Sequence, residues 1–132
     1  MAYVLLGIVG EASVLRRTSG ARVVPLGQGM GLLPDPGRAV SEGELVVWSA
    51  AGPVARVGAE YFGGLGEQWA TVWKGGVAVL GPLHLPEGEP FPAEGSPISR
   101  ALRRLGVVAG AGEDEFTAVG LGRHRATEDW LH

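Results

Sequence analysis

The stretch that decides the fold is residues 54–82, VARVGAEYFGGLGEQWATVWKGGVAVLGP. Its β-branched and aromatic residues are typical of strands, and two glycine clusters divide them into three runs. Residues 63–66 predict a wide hairpin turn, whereas Gly75-Gly76 is the two-residue turn that joins antiparallel strands. Gly81-Pro82 is predicted to end the third strand, because proline interrupts a sheet ladder. The stretch therefore predicts three consecutive antiparallel strands.

Segments before this stretch extend the predicted sheet. Residues 3–9 form an apolar, β-branched run that indicates a buried strand, and residues 22–26 indicate a strand that lies at an edge or ends early, because of Pro25. Residues 45–48 fit either a buried strand or the start of a short helix. We therefore expect an α+β fold, a single domain that is mainly an antiparallel sheet of five or six strands with one or two packed helices.

One helix is predicted by both its ends and its spacing. Ser96 is suited to the N-cap and Pro97 to the first helical position. Ile98, Ala101 and Leu102 then lie on one face at helical spacing. This segment predicts a helix that packs an apolar stripe on the sheet.

The chain length favours one domain. A chain of 132 residues is long enough to bury a core. Residues 82–95 are rich in proline and glutamate and show little periodicity, which predicts an internal loop of this single domain and not a strand.

Composition excludes several classes of function. The net charge of −3 gives no reason to expect nucleic-acid binding, and the absence of cysteine excludes disulfides and thiolate metal sites. The apolar run near the start lacks the preceding positive charge of a signal peptide, and no run approaches the roughly 20 apolar residues of a membrane span. We expect a cytoplasmic protein.

The 23 glycines and the single lysine among 11 basic residues are typical of GC-rich, actinobacterial coding sequences.

No motif predicts a metal or a cofactor. The glycines of residues 27–31 lack the spacing and the strand–helix context of a dinucleotide-binding loop, so turn geometry explains them. His84, His124 and His132 are far apart and show no metal-ligand spacing. No serine lies in a nucleophile elbow.

A pair of carboxylates offers the alternative of an enzyme or ligand-binding domain. Glu60 and Glu67 flank the first glycine turn, so a hairpin would bring them to one end of the sheet. Neighbouring carboxylates can act as acid and base. In this interpretation Glu60, Glu67 and Gln68 surround a pocket at the turn. Glutamate is also common at strand ends, where it needs no catalytic role.

The aromatic residues of the hairpin favour a binding surface. Half-exposed aromatic side chains anchor protein interfaces, although core packing is their commonest use. In the strand after the turn, Trp69 and Trp73 are predicted to share one face, and Gln68 to lie on the other. The predicted partner-binding residues are Tyr61, Phe62, Glu67, Gln68, Trp69 and Trp73.

Three segments carry a resemblance: EYFGGLGEQWATVWKGG (60–76), SPISRALRRLGV (96–107) and DEFTAVGLGRHRATEDWL (114–131). Together they resemble small uncharacterised actinobacterial α+β proteins and, more loosely, bacterial immunity proteins, over about residues 44–131. The resemblance implies a small cytoplasmic protein that works by binding. We expect a non-enzymatic interaction domain, such as an immunity- or antitoxin-type inhibitor, with a basic toxin or enzyme as partner. A homo-oligomer that pairs through an exposed edge strand is a further alternative.

Overall fold

The computed structural model describes residues 2–131 and contains a six-stranded, fully antiparallel sheet with the order β2-β3-β1-β4-β5-β6. The strands are β1 (Ala2–Glu11), β2 (Val24–Pro25), β3 (Met30–Pro34), β4 (Val54–Phe62), β5 (Leu65–Lys74) and β6 (Val77–Leu85). The helices are α1 (Ala12–Ser19), α2 (Glu42–Trp48), α3 (Pro97–Arg104) and α4 (Glu115–Val119). Short 3-10 turns occupy Gly27–Gly29, Leu121–Arg123 and Thr127–Leu131. The predicted α+β class with a mainly antiparallel sheet is confirmed.

The two hairpins of residues 54–82 form as predicted, with one correction. Gly63 and Gly64 both have positive φ, as do Gly75 and Gly76, so each pair makes a two-residue turn that matches the twist of its strands. The first turn is therefore tighter than the predicted wide turn. Strand β5 begins at Leu65, directly opposite Phe62.

Strand β6 is longer than the sequence predicts. It continues past Gly81-Pro82 to Leu85, which is buried, so residues 82–85 belong to the sheet and not to the loop predicted over residues 82–95. Shifts in the β5–β6 register accommodate this continuation. Proline is tolerated because β6 lies at the edge of the sheet, where a missing N–H need not break a ladder on both sides. The irregular connection therefore begins at Pro86.

The segment at residues 45–48 is helical. Ser41 is the N-cap of α2, and its hydroxyl accepts a hydrogen bond from the Glu44 backbone N–H at 3.1 Å. A cap of this kind satisfies one of the N–H groups that a helix leaves free at its start. Leu45 is fully buried, and it anchors the helix to the sheet.

Helix α3 covers one face of the sheet, which we call the covered face. Its predicted cap is confirmed, since the Ser96 hydroxyl accepts from the Ser99 N–H at 3.2 Å and Pro97 begins the helix. Ile98 and Leu102 are fully buried. They join a core whose main sheet and tail members are Leu5, Val9, Val57, Val72, Leu121 and Trp130.

The opposite face is covered only at one end. There α1 and α2 supply Leu15 and Leu45 to a second, smaller cluster with Ile8, Val54 and Trp73. The rest of this face, which we call the open face, carries the side chains of Glu60, Phe62, Leu65, Glu67, Trp69 and His84. The sheet is thus stabilised mainly from one side.

The C-terminal segment completes the exposed edge of β1. The Val4 N–H donates to the Arg125 carbonyl at 2.8 Å, and the Leu6 N–H donates to the Thr127 hydroxyl at 3.0 Å. The same hydroxyl donates to the Val4 carbonyl at 3.1 Å. Trp130 is buried behind these contacts. No helix within residues 2–131 is long and apolar enough to cross a membrane.

Candidate functional site

The β4–β5 hairpin sends alternate side chains to opposite faces, and this decides which predicted residues can meet a partner. Starting from the turn, the pairs that face the open side are Phe62/Leu65, Glu60/Glu67, Gly58/Trp69, Arg56/Thr71 and Val54/Trp73. The alternate pairs, such as Tyr61/Gly66 and Ala59/Gln68, face the covered side. The six predicted partner-binding residues therefore do not form one surface.

Trp73 is buried and offers no surface to a partner. Its exposed fraction is 5%, because α2 covers the end of the sheet where Trp73 pairs with Val54. Trp69 and Trp73 lie on the same face of the sheet, as predicted. Trp73, however, lies at the end of that face that α2 covers. The sequence of residues 45–48 fitted either a helix or a strand, so it did not predict that a helix would lie over this tryptophan.

Gln68 is also buried, with 6% of its surface exposed. Its amide oxygen accepts a hydrogen bond from the Ile98 backbone N–H at 3.1 Å. This N–H is one of those that a helix leaves free in its first turn, so Gln68 positions α3 on the sheet. Its role is structural, and no local pattern in the sequence would reveal a partner 30 residues away.

Trp69 is the centre of the open face. Its ring lies over Gly58, its cross-strand neighbour, where an added Cβ would be 3.0 Å from Trp69 Cε3. The ring also stacks on His84 with a centroid separation of 5.7 Å and an interplanar angle of 3°. The Arg38 guanidinium lies 5.6 Å from the ring centroid, within the range of a cation–π contact. A half-exposed aromatic ring is thus held in a fixed position.

Two carboxylates lie directly beside this ring, toward the turn. Glu60 and Glu67 are opposite each other on neighbouring strands, and Glu67 Oε2 is 2.7 Å from His84 Nε2. Both lie on the open face. Gln68 faces the other side of the sheet, so the predicted convergence of Glu60, Glu67 and Gln68 in one pocket does not occur.

The tip of the hairpin is apolar and exposed. Phe62 and Leu65 face each other across the turn, with 62% and 58% of their surfaces exposed. Together with Trp69 they place three large apolar side chains around the two carboxylates. Aromatic residues at such surfaces are enriched in protein interfaces, whereas an isolated exposed leucine carries no such meaning.

A cavity of about 290 Å³ lies at the same end of the sheet on the covered face. Its walls are Tyr3, Ala59, Tyr61, Gln68, Phe91, Ser96, Asp114 and Phe116. The Tyr61 ring reaches it over Gly66, where an added Cβ would lie 2.7 Å from Tyr61 Cδ2. The sequence did not indicate this cavity, because Tyr3, Phe91 and Phe116 come from three distant segments. Glu60 and Glu67 are not among its walls.

The histidines do not come together with other ligands. Among residues 2–131, no group of three His, Asp or Glu side chains has the geometry of a metal site. His84 contacts Trp69 and Glu67, and the His124 ring packs edge-on against Trp130 at 4.7 Å. His132 lies outside the described residues.

No family model, no curated protein and no solved structure matches this chain.

Proposed function

We propose that this chain is a non-enzymatic protein-interaction domain, of the immunity or antitoxin inhibitor type, and that it binds a basic protein through the open face. The observation that carries the proposal is the arrangement around Trp69. A fixed aromatic ring and the exposed Phe62 and Leu65 surround the carboxylates of Glu60 and Glu67. The expected setting is the bacterial cytoplasm.

The arrangement has the elements of an interface hot spot. Tryptophan is the residue type most enriched at such spots, and a ring already held by His84 and Gly58 loses little conformational freedom on binding. Phe62 and Leu65 add apolar surface that a partner would remove from water. The open face thus offers a rigid anchor with an apolar tip.

Charge favours a basic partner. Glu60 and Glu67 are like charges placed opposite each other, an arrangement that is destabilising in an isolated sheet and is relieved when a cation approaches. Arg56 lies farther from the turn and donates to the Val40 carbonyl, and Arg38 lies over the Trp69 ring. Glu67 contacts His84, so Glu60 is the carboxylate of this face that has no basic partner within residues 2–131. A lysine or arginine of a partner would therefore meet carboxylates at the tip end of Trp69, and the attraction would speed association.

The test begins with capture of the partner from the source organism and then measures binding of the purified pair by calorimetry. Trp69→Ala should weaken binding roughly 30-fold, the effect of losing about 2 kcal/mol at a hot spot. The double variant Glu60→Lys/Glu67→Lys should slow association and reduce its dependence on salt.

The control is Glu128→Lys/Asp129→Lys, which reverses two exposed charges in the C-terminal segment and changes the net charge equally. It should bind like the wild type. Light scattering of the chain alone separates a hetero-partner from self-pairing along β6. Equal binding by all open-face variants, or capture of a small molecule and no protein, contradicts the proposal.

A further inference from the structure

A second recess, of about 340 Å³, lies between α3 and the edge strand β6. Its walls are Leu80, Glu94, Arg100, Arg103 and Arg104. Leu80 packs against the core of the covered face, so the recess is separate from the open face around Trp69. Three arginines of a chain whose net charge is −3 therefore border one space.

Arg103 is satisfied by groups of the chain itself. Its Nε and Nη2 donate to the two carboxylate oxygens of Glu115 at 3.2 and 3.5 Å, and its Nη1 donates to the Glu94 carbonyl at 3.0 Å. All three nitrogens are engaged, and the paired contact compensates the charge of Glu115. The other two arginines are therefore the ones that can receive a ligand.

The Arg100 guanidinium has no equivalent partner. Its side chain is only 29% exposed, and the carboxylate that it faces, Glu94 Oε1, is 3.9 Å from its Nη1. This distance is too long for a hydrogen bond. Within residues 2–131 the guanidinium thus has an ion pair but no hydrogen-bonded acceptor. Because a covered charge without such an acceptor is costly, an acceptor in the recess would stabilise it.

Arg104 lies one turn after Arg100 on α3. Its Nη1 donates to the Val79 carbonyl at 2.8 Å, which holds the guanidinium beside β6. Like charges four residues apart on a helix repel each other. The helix dipole stabilises cations in the last turn, where Arg103 and Arg104 lie, but Arg100 lies before that turn. The dipole therefore does not explain the whole group.

The donors fit a phosphate group better than a carboxylate. One carboxylate is enough for one guanidinium, as Glu115 shows with Arg103. A phosphate monoester carries a charge of about −1.5 to −2 and three acceptor oxygens, which suits two neighbouring guanidiniums. Leu80 adds apolar surface, and the recess exceeds the roughly 150 Å³ that holds a benzene ring. The organic group of the ester thus has room beside its phosphate.

We propose that this recess binds a small phosphate monoester with an apolar organic group. Arg100 and Arg104 donate to the phosphate oxygens, and the organic group packs against Leu80. Glu94 competes with the phosphate for Arg100, and its side chain, which is 56% exposed, is free to move away. The site does not depend on the protein interface proposed for the open face.

Three probes test the proposal on the full chain at constant ionic strength. Phenyl phosphate carries both the phosphate and an apolar ring, inorganic phosphate lacks the ring, and benzyl alcohol lacks the phosphate. Binding is measured from amide and arginine Nε–H chemical shifts in NMR titrations. We expect phenyl phosphate to bind severalfold more tightly than inorganic phosphate, and benzyl alcohol to give no saturable shifts.

Variants locate the binding. Arg100→Gln should weaken the binding of phenyl phosphate about tenfold or more, the effect of losing a charge-assisted hydrogen bond. Arg100→Lys should recover part of this loss, because the charge remains but the planar fork does not. Glu94→Gln should tighten binding severalfold, since it removes the competing carboxylate. Arg17→Gln, at an exposed position in the last turn of α1, changes the net charge equally and should bind as the wild type does.

The proposal is overturned if Arg100→Gln and Arg17→Gln weaken binding equally, because net charge alone would then hold the anion. Inorganic phosphate that binds as tightly as phenyl phosphate would also overturn it, and so would a tetraglutamate peptide that binds more tightly than either. These results would assign the recess to a free ion or to an acidic protein. Intermolecular NOEs from the phenyl ring to the Leu80 methyl groups support the location, and NOEs to Trp69 contradict it.

Discussion

Alternate residues of the β4–β5 hairpin point to opposite faces of the sheet, and the two faces are covered in different ways. The covered face is closed by segments that are distant in sequence, with Leu102 from α3 and Trp130 from the C-terminal segment buried against it. The open face is made within the sheet itself, and its centre, Trp69, is held by its neighbours Gly58 and His84. One hairpin thus stabilises the fold through one face and presents side chains to solvent through the other.

The contrast shows that aromatic density alone does not mark a binding surface. Tyr61 and Trp69 each lie over a cross-strand glycine, an arrangement in which an aromatic ring shields the strand where a side chain is missing. On the covered face the Tyr61 ring forms part of a cavity wall, and on the open face the Trp69 ring is half-exposed. The helices on each side, and not the hairpin sequence, make the difference.

The largest expected effect comes from the same substitution made on each face. Leu102→Ala removes a fully buried side chain and should lower the free energy of unfolding by about 2–5 kcal/mol. Leu65→Ala, at the open tip, should change it by less than about 1 kcal/mol. Urea denaturation measures both values. Equal losses would mean that the tip is covered in solution, and that the contrast between the faces is wrong.

An intermediate effect is expected where the C-terminal segment closes β1. Thr127→Val keeps the shape of a fully buried side chain and removes the hydroxyl that bonds Leu6 and Val4. Two backbone groups lose their partner, and stability should fall by about 2 kcal/mol. Thr117→Val, at an exposed position of α4, is the control and should be nearly neutral. A neutral Thr127→Val would show that water replaces the hydroxyl.

The smallest effect is a pH dependence of the stability, and it comes from Tyr3 on the covered face. Burial raises the pKa of Tyr3 above the usual tyrosine value of roughly 10. The folded state therefore holds this proton more tightly than the unfolded chain. The resulting stability is fully present below about pH 10 and falls as the pH rises above it.

Tyr3→Phe isolates this contribution. Between about pH 10 and 11 the wild type should lose about 1 kcal/mol more stability than Tyr3→Phe does. The variant also lacks the hydrogen bond to Leu121, so the slopes are compared and not the absolute stabilities. Equal slopes of stability against pH for the two proteins would mean that Tyr3 is solvated and that the covered face is open at that end.

The sequence predicted the elements whose signals are local. The diglycine turns, the alternation of β5 and the capped start of α3 each depend on residues a few positions apart, and all of them form. Residues 45–48 could not be assigned, because their helix depends on burial of Leu45 against the sheet as well as on the Ser41 cap.

What the sequence could not predict depends on contacts between distant segments. The burial of Trp73 requires α2, the burial of Gln68 requires the N-terminus of α3, and β6 passes Pro82 because it pairs with β5 only on one side. The cavity is a further case. Its walls from Phe91 and Phe116 meet Tyr61 only when the connection between β6 and α3, and helix α4, pack on the covered face.

The contact between Thr127 and β1 also sets an order of events during synthesis. At the edge of β1, the backbone groups of Leu6 and Val4 are hydrogen-bonded by Thr127, which lies 121 and 123 positions later in the chain. Nearly all of the sheet can therefore emerge from the ribosome while this edge is still unpaired, and an unpaired edge is where strands of different chains associate. Because contacts between distant residues form late, the last step of folding should be the docking of residues 125–130. Slow translation would then prolong the time in which the nascent chain is prone to aggregate.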